Sequence, residues 1–237
     1  MSLAFLSPGS SRTSASSPME RAARAAGAQI HSRDGWSVAA DYGDPALERE
    51  RIAAGVGFAD RSSLAKFEVL APAEQLAGIL SRAGAPALGL GTAARTGTTW
   101  WCPVTPARAL VLAEPADAAG MREALMQAAE GESATVVDIT SGLAAMSLLG
   151  PGARELLARF CAIDVRPAVA PPASFRPGSI ARTPGYLLIE RDEALLALVG
   201  WALGAYLWDL VADAAAHLGG GPVGADALAH HLGSLDA

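Results

Sequence analysis

Three polar side chains share one stretch of this 237-residue chain: Arg182, Tyr186 and Glu190 lie on or beside a single predicted hairpin. A glutamate following Leu187, Leu188 and Ile189 has two readings. It is a charge on a sheet edge, or it accepts hydrogen bonds from a heterocyclic ligand in a cleft. Asp60, Ser62, Asp138 and Thr140 fall in two matching frames, Asp60-Arg61-Ser62 and Asp138-Ile139-Thr140, each just ahead of a strand-like segment. Side chains of these types before a strand most often fold back on loop amides. Catalysis is their other reading.

Other chemistries find little support. His230 and His231 are adjacent, so they point to different sides of a helix or strand, and His31 and His217 are isolated surface or capping groups. No third ligand accompanies them, so no metal is expected. Cys102 and Cys161 are far apart and form no CxxC pair, which reads as two buried free thiols in a reducing, cytoplasmic compartment. Gly89-Leu90-Gly91 lacks the third glycine of a dinucleotide fingerprint, and Gly219-Gly220-Gly221 precedes no lysine, so both read as turns. No serine sits in a GxSxG frame. A net charge of -6, with 18 Lys and Arg against 24 Asp and Glu, leaves no basic field for nucleic acid. Lys66 is the only lysine, a bias of codon composition, so the arginines carry no special weight.

The elements that must position these residues follow from pattern. Met1 to Ser17 has an apolar tetrad without a basic flank and then a Ser-rich run, which predicts a disordered tail rather than a signal peptide. Ala194 to Trp208 carries no charge, but at about 1.5 Å per residue it is too short for about 30 Å of hydrocarbon. It splits into a buried strand, Leu195 to Val199, and a helix from about Ala202 to Leu218. A helix is predicted over Pro18 to Ala26, followed by the segment His31 to Tyr42. Asp44 and Pro45 open a short helix that Gly55 closes, with Glu48 to Arg51 on a solvated face.

Beyond this the chain repeats itself. Lys66 to Leu70, Pro72 and a helix with Leu76, Ile79 and Leu80 on one face are matched by Leu143 to Leu149, Pro151 and a helix with Leu156, Leu157 and Phe160. The aspartates of the two frames are 78 residues apart and the prolines 79, as an internal duplication requires. Strands at Thr98 to Trp101 and Ala109 to Leu112, a helix over Asp117 to Glu130 and a strand at Thr135 to Ile139 complete the first copy. Strands at Ser179 to Thr183, Tyr186 to Glu190 and Leu195 to Val199 complete the second, with Pro167 to Pro177 as a loop. The expected fold is α+β: two pseudo-symmetric sheet-plus-helix subdomains of split βαβ, ferredoxin-like type, in which helices cover one face of each sheet. A tail, 1–17, precedes one domain, 18–237, built of halves at about 56–135 and 136–237.

The runs Gly35-Trp36, Asp41-Tyr42-Gly43, Glu48 and Glu50, Val56 to Ser62 and Lys66 to Val69 resemble the opening of the glycine cleavage aminomethyltransferase, or T-protein. Val136 to Thr140, Leu148 to Arg154, Tyr206 to Asp209 and Asp226 to Leu228 are similar to the same folate-binding superfamily. Together with Trp100-Trp101 and Ala109 to Leu112, they look closest in kind to the gamma subunit of heterotetrameric sarcosine oxidase. The resemblance implies tetrahydrofolate in the central cleft of a three-subdomain disc, with the third, barrel-like subdomain absent here. Tyr186 and Glu190, with Arg182 nearby, fall at the folate-facing positions. Thr98 stands where the transferases carry a catalytic aspartate, and no Asp or Glu occurs from Ser81 to Ala113. Glu114 and Asp117, past the second strand of that hairpin, are expected to lie too far round to substitute. The implied function is a non-catalytic, gamma-like subunit in one-carbon metabolism, partnered by a flavoprotein subunit or by copies of itself. A free-standing tetrahydrofolate-dependent aminomethyltransferase or demethylase is the alternative.

Overall fold

A computed structural model describes residues 14–234. Strands β1 (Ala15–Ser16), β2 (Gln29–Arg33) and β3 (Trp36–Asp41) form a small sheet in the order β1-β3-β2, with helix α1 (Glu20–Ala25) between the first two. Most of the predicted tail lies outside the described residues, but Ala15 and Ser16 pair in parallel with Trp36 and Ser37. The last part of that stretch is therefore strand, held by backbone bonds that no side-chain pattern signals. Helix α2 (Pro45–Ala54) starts as predicted, with Asp44 accepting from the amides of Ala46 and Leu47 and proline at its first position. Its predicted solvated face is a correction: Glu48 is buried, accepting from the amides of Tyr42 and Gly224. The Gly224 amide lies 176 residues away in sequence, so only the fold brings it to the carboxylate.

The first large sheet takes β5 (Ala65–Leu70), β6 (Ala94–Thr96), β7 (Thr99–Thr105), β8 (Arg108–Ala113) and β9 (Thr135–Asp138), in the order β6-β7-β8-β5-β9. The second takes β4 (Gly57–Asp60), β10 (Leu143–Leu149), β11 (Ser174–Ile180), β12 (Thr183–Arg191), β13 (Ala194–Gly200) and β14 (Gly221–Pro222), in the order β11-β12-β13-β10-β4-β14. Two predicted irregular stretches thus become partly strand. Ser174 to Pro177 pairs with Tyr186 to Ile189, and Gly221 pairs with Gly57. In each case the partner strand supplies order that Pro and Gly content argued against.

Helices α3 (Ala73–Arg82) and α4 (Ala118–Ala128) cover the first sheet. Leu76, Ile79, Leu80, Leu125 and Ala128 meet Phe67, Val69, Trp101 and Val111 there. Helices α5 (Ala153–Ala158) and α6 (Gly204–Ala216) cover the second, where Leu156, Leu157, Leu207 and Val211 meet Phe58, Met146, Leu187 and Leu195. The uncovered faces pack on each other: Trp100, Cys102, Leu110 and Leu112 of the first sheet meet Phe175, Leu188, Leu196 and Leu198 of the second. The result has four layers, helices, sheet, sheet, helices. It explains the uncharged run at Ala194: alternate residues Leu195, Ala197 and Val199 face the helices while Leu196 and Leu198 face the other sheet, so both faces must be apolar. No described helix is long and apolar enough to cross a membrane. Helix α7 (Ala225–Ser234) packs against α2 and β3, and its buried Ala227 and Leu228 join Ile52 and Leu149.

The two copies exchange a strand. β4 precedes β5 in sequence yet pairs with β10, and β9 precedes β10 yet pairs with β5, both antiparallel. The chain crosses between sheets at 60–64 and again at 138–142. Just past β10, Gly150 has φ +94, and a Cβ there would stand 2.2 Å from the Ile52 carbonyl oxygen. Only glycine fits that close approach.

Candidate functional site

At the first crossing Asp60 accepts from the Ser62 amide (2.9 Å), and Ser62 Oγ accepts from the Ala145 amide (3.2 Å). At the second, Asp138 accepts from the Thr140 amide (2.9 Å), and Thr140 Oγ1 accepts from the Lys66 amide (3.1 Å). Arg61 N donates to Ala145 O, and Ile139 N donates to Lys66 O, both at 2.8 Å. Each crossing thus closes with the same aspartate turn and the same hydroxyl acceptor for the strand that the other copy supplies. The two aspartates fold back on loop amides, while the hydroxyls cap strand amides instead.

Side chains separate the crossings. Lys66 is fully buried, and Nζ donates to the carbonyls of Ser62 (2.8 Å), Leu64 (2.8 Å) and Thr140 (3.3 Å). Burial pushes its pKa down to about 7, against the pull of the Asp60 and Asp138 carboxylates. Arg61 reaches into the cleft between the sheets, where Nη1 donates to Glu190 Oε2 (2.8 Å) and Oε1 (3.0 Å), and Nη2 donates to Glu114 Oε1 (3.0 Å). Trp100 Nε1 donates to Glu190 Oε1 at 3.1 Å. The Arg61 and Glu190 side chains are only 8% and 5% exposed, so this is a buried ion pair. Burial works against the Arg61 charge, but the two carboxylates outweigh it and raise the pKa above the ordinary guanidinium value. Burial, with the Glu190 charge next, also raises the Cys102 thiol, which stays protonated. Cys161 is only half-buried, against expectation: it follows the end of α5 and forms an isolated bridge with Ile180.

Around this pair lies a cavity of about 30 Å³, lined by Thr98, Trp100, Glu114 and Glu190 among others. Of the predicted site residues the structure therefore brings Thr98 and Glu190 to one place. Tyr186 is four residues back along β12, about 13 Å at 3.3 Å per residue. It stacks on Phe175 with centroids 5.5 Å apart, and its hydroxyl accepts from Arg108 Nη2 at 2.8 Å. Arg182 is exposed in the turn at the far end of the hairpin, with φ +61. Neither lines the cavity around Glu190.

Against known structures, the chain matches the glycine cleavage system aminomethyltransferase T from Bartonella henselae with a TM-score of 0.75 at 16% identity, over 90% of this chain and 60% of that one. The chain has the aminomethyltransferase T fold. A chain of the heterotetrameric sarcosine oxidase from Corynebacterium sp. U-96, solved in complex with pyrrole 2-carboxylate, matches with a TM-score of 0.62 at 19% identity, over 73% of this chain and 92% of that one. No family model and no curated protein matches the sequence.

Within the aminomethyltransferase T fold, one expectation needs correcting. Glu114 and Asp117 are not too far round. Glu114 lines the cavity and bonds Arg61, and Asp117 Oδ2 accepts from Thr98 Oγ1 at 2.6 Å. β8 runs back along β7, so its end at Ala113 returns the chain to the start of β7, where Thr98 sits. Arg61 does not stand out in the sequence as a site residue because it sits inside a turn motif, in a chain rich in arginine. The usable signal was a basic residue between the aspartate and serine of the first frame where the second frame has Ile139. Among the described residues no group of three His, Cys, Asp or Glu side chains could hold a metal ion.

Proposed function

We propose that the chain is a non-catalytic subunit of sarcosine-oxidase-gamma type, acting in one-carbon metabolism beside a flavoprotein partner. One observation carries this: the carboxylate expected to face folate is already satisfied by Arg61 and Trp100, and the space left beside it, about 30 Å³, holds about one water. A pterin ring does not fit there as the side chains stand. Thr98 adds a neutral hydroxyl where the resemblance implies a catalytic carboxylate, and Glu190 and Glu114 are both paired with Arg61 rather than open to a developing cation. The sarcosine oxidase whose chain shares this fold is a heterotetramer, which supports assembly with other subunits.

The test is co-expression with flavoprotein subunits encoded nearby, followed by sizing. The expected result is a stable complex without folate-dependent formaldehyde or ammonia release by the isolated chain. A monodisperse monomer that ignores every flavoprotein subunit overturns the reading. The presence of Glu114 and Asp117 at the cleft favours a second reading, a free-standing tetrahydrofolate-dependent transferase or demethylase. Turnover by the isolated chain that falls at least tenfold in Glu114→Gln or Asp117→Asn would establish it.

A further inference from the structure

A strand at the rim of a sheet leaves one row of backbone groups unpaired unless something guards it. Most of the described edges are guarded. β6 has three residues and β14 two, β11 carries Pro177 and bonds Gly91 O through the Phe175 amide, and β2 is kinked by a register shift at Gln29 and Ile30. β9 has none of these devices. It reads Thr135-Val136-Val137-Asp138, ends the order β6-β7-β8-β5-β9 and pairs with β5 in unbroken register. Its one charge, Asp138, is met by Arg122. Ile139 N donates to Lys66 O at 2.8 Å, so alternate residues 139, 137 and 135 bond toward β5, and the amides and carbonyls of Val136 and Asp138 point away from the sheet. Among the described residues nothing else bonds those backbone groups. Val137 is 39% exposed, and Leu70, on the same face, 37%.

We propose that two copies of this chain pair antiparallel through β9, about a twofold axis at Val137 that joins their first sheets into one. The edge itself names a strand as its occupant, because a row of alternating N–H and C=O groups is met in full only by another extended backbone. A second copy fits because β9 is complementary to itself. With Val137 on the axis, Val136 and Asp138 of one copy stand opposite Asp138 and Val136 of the other, and each pair exchanges two bonds. Both outward residues of the strand are then satisfied. An axis at Asp138 would set carboxylate against carboxylate, and one at Val136 would leave Asp138 facing Ala134, beyond the end of the strand. At Val137 two β-branched side chains meet, and Leu70, Thr135 and the other copy's Ile139 line up on the same face. β8 and β5 separate β9 from β7, so the pairing leaves Thr98 and Trp100 at the cleft uncovered.

The inference goes beyond the subunit reading and does not rest on it. Sedimentation velocity on the isolated chain, from about 10 to about 500 µM, tests it; a contact this short gives a weak dimer, half formed on the order of 100 µM. Val137→Lys sets like charges on the axis and is expected to weaken the dimer about tenfold or more, as is Val136→Pro, which removes an outward donor. Should Val136→Pro fail to fold, Val137→Lys, at an exposed position, decides alone. Register is read by cross-linking in a Cys161→Ser background, which leaves only the buried Cys102. There Val137→Cys is expected to form an intermolecular disulfide on oxidation, its Cα atoms being about 4.5 Å apart across the axis, whereas Thr135→Cys faces Ile139 and forms none. The proposal is overturned if wild type stays monomeric at the highest concentration, if Val137→Lys dimerises as tightly as wild type, or if Val137→Cys cross-links no faster than Thr135→Cys. A monomer that still binds a flavoprotein subunit removes the self-pairing alone.

Discussion

The two crossings between sheets share a backbone and differ in side chains. Both use an aspartate turn and a hydroxyl that caps the incoming strand, but the first places Arg61 and Lys66 where the second has Ile139 and Ala145. Their surroundings differ too. Ser62 is buried where its counterpart Thr140 is half-buried, and Asp138 is exposed and paired at the surface with Arg122. The shared bonds are what the exchange of strands requires. The charges at the first crossing answer a different demand, a carboxylate on β12 that needs a cation and three carbonyls that need a donor.

The largest break in the comparison is expected from Glu190→Ala. It leaves Arg61 buried with only the half-exposed Glu114, and truncating one partner of a buried pair costs about 3–5 kcal/mol, measured by urea denaturation. Next comes Lys66→Met, read through pH. The folded pKa of about 7 lies below the ordinary 10.5, so between those values the unfolded chain binds more protons and wild-type stability rises with pH. The slope is at most about 1.4 kcal/mol per unit. Denaturation at pH 7, 8 and 9 is expected to show this rise in wild type and its loss in Lys66→Met. An unchanged slope would mean the three carbonyls hold the ammonium charged throughout.

Ser62→Ala and Thr140→Val test the shared part. Each removes a hydroxyl acceptor from one strand amide, with an expected cost of about 1–2 kcal/mol at the buried Ser62 and about 1 kcal/mol at the more open Thr140, by thermal or urea melts. A cost confined to one crossing would contradict their equivalence. The smallest effect is expected for Arg122→Ala: its pair with Asp138 is solvent-exposed, so stability should change by less than about 1 kcal/mol and lose that difference in salt.

Much of this molecule is legible from local pattern. Apolar spacing places α3 and its counterpart α5, Asp44 with Pro45 fixes the start of α2, and the 78-residue offset between the aspartates marks the duplication. These features depend on neighbours a few residues away, where periodicity and capping act. Glu190 was a cleft candidate through the resemblance, because its apolar neighbours by themselves also fit a charge on a sheet edge.

Its partner was not recognisable. Arg61 stands 129 residues earlier, and only the packing of the two sheets brings the guanidinium to the carboxylate. The same holds for Glu48, whose buried acceptors are met by the Gly224 amide 176 residues away, and for the exchange of β4 and β9. Sequence by itself determined the covering helices, the central strands of both copies and the duplication, because those rest on local geometry and alternation. Tertiary structure alone decided which sheet each crossing strand joins and whether the cleft is open or filled, because burial sets the cost of an unpaired charge and distant segments supply its partner.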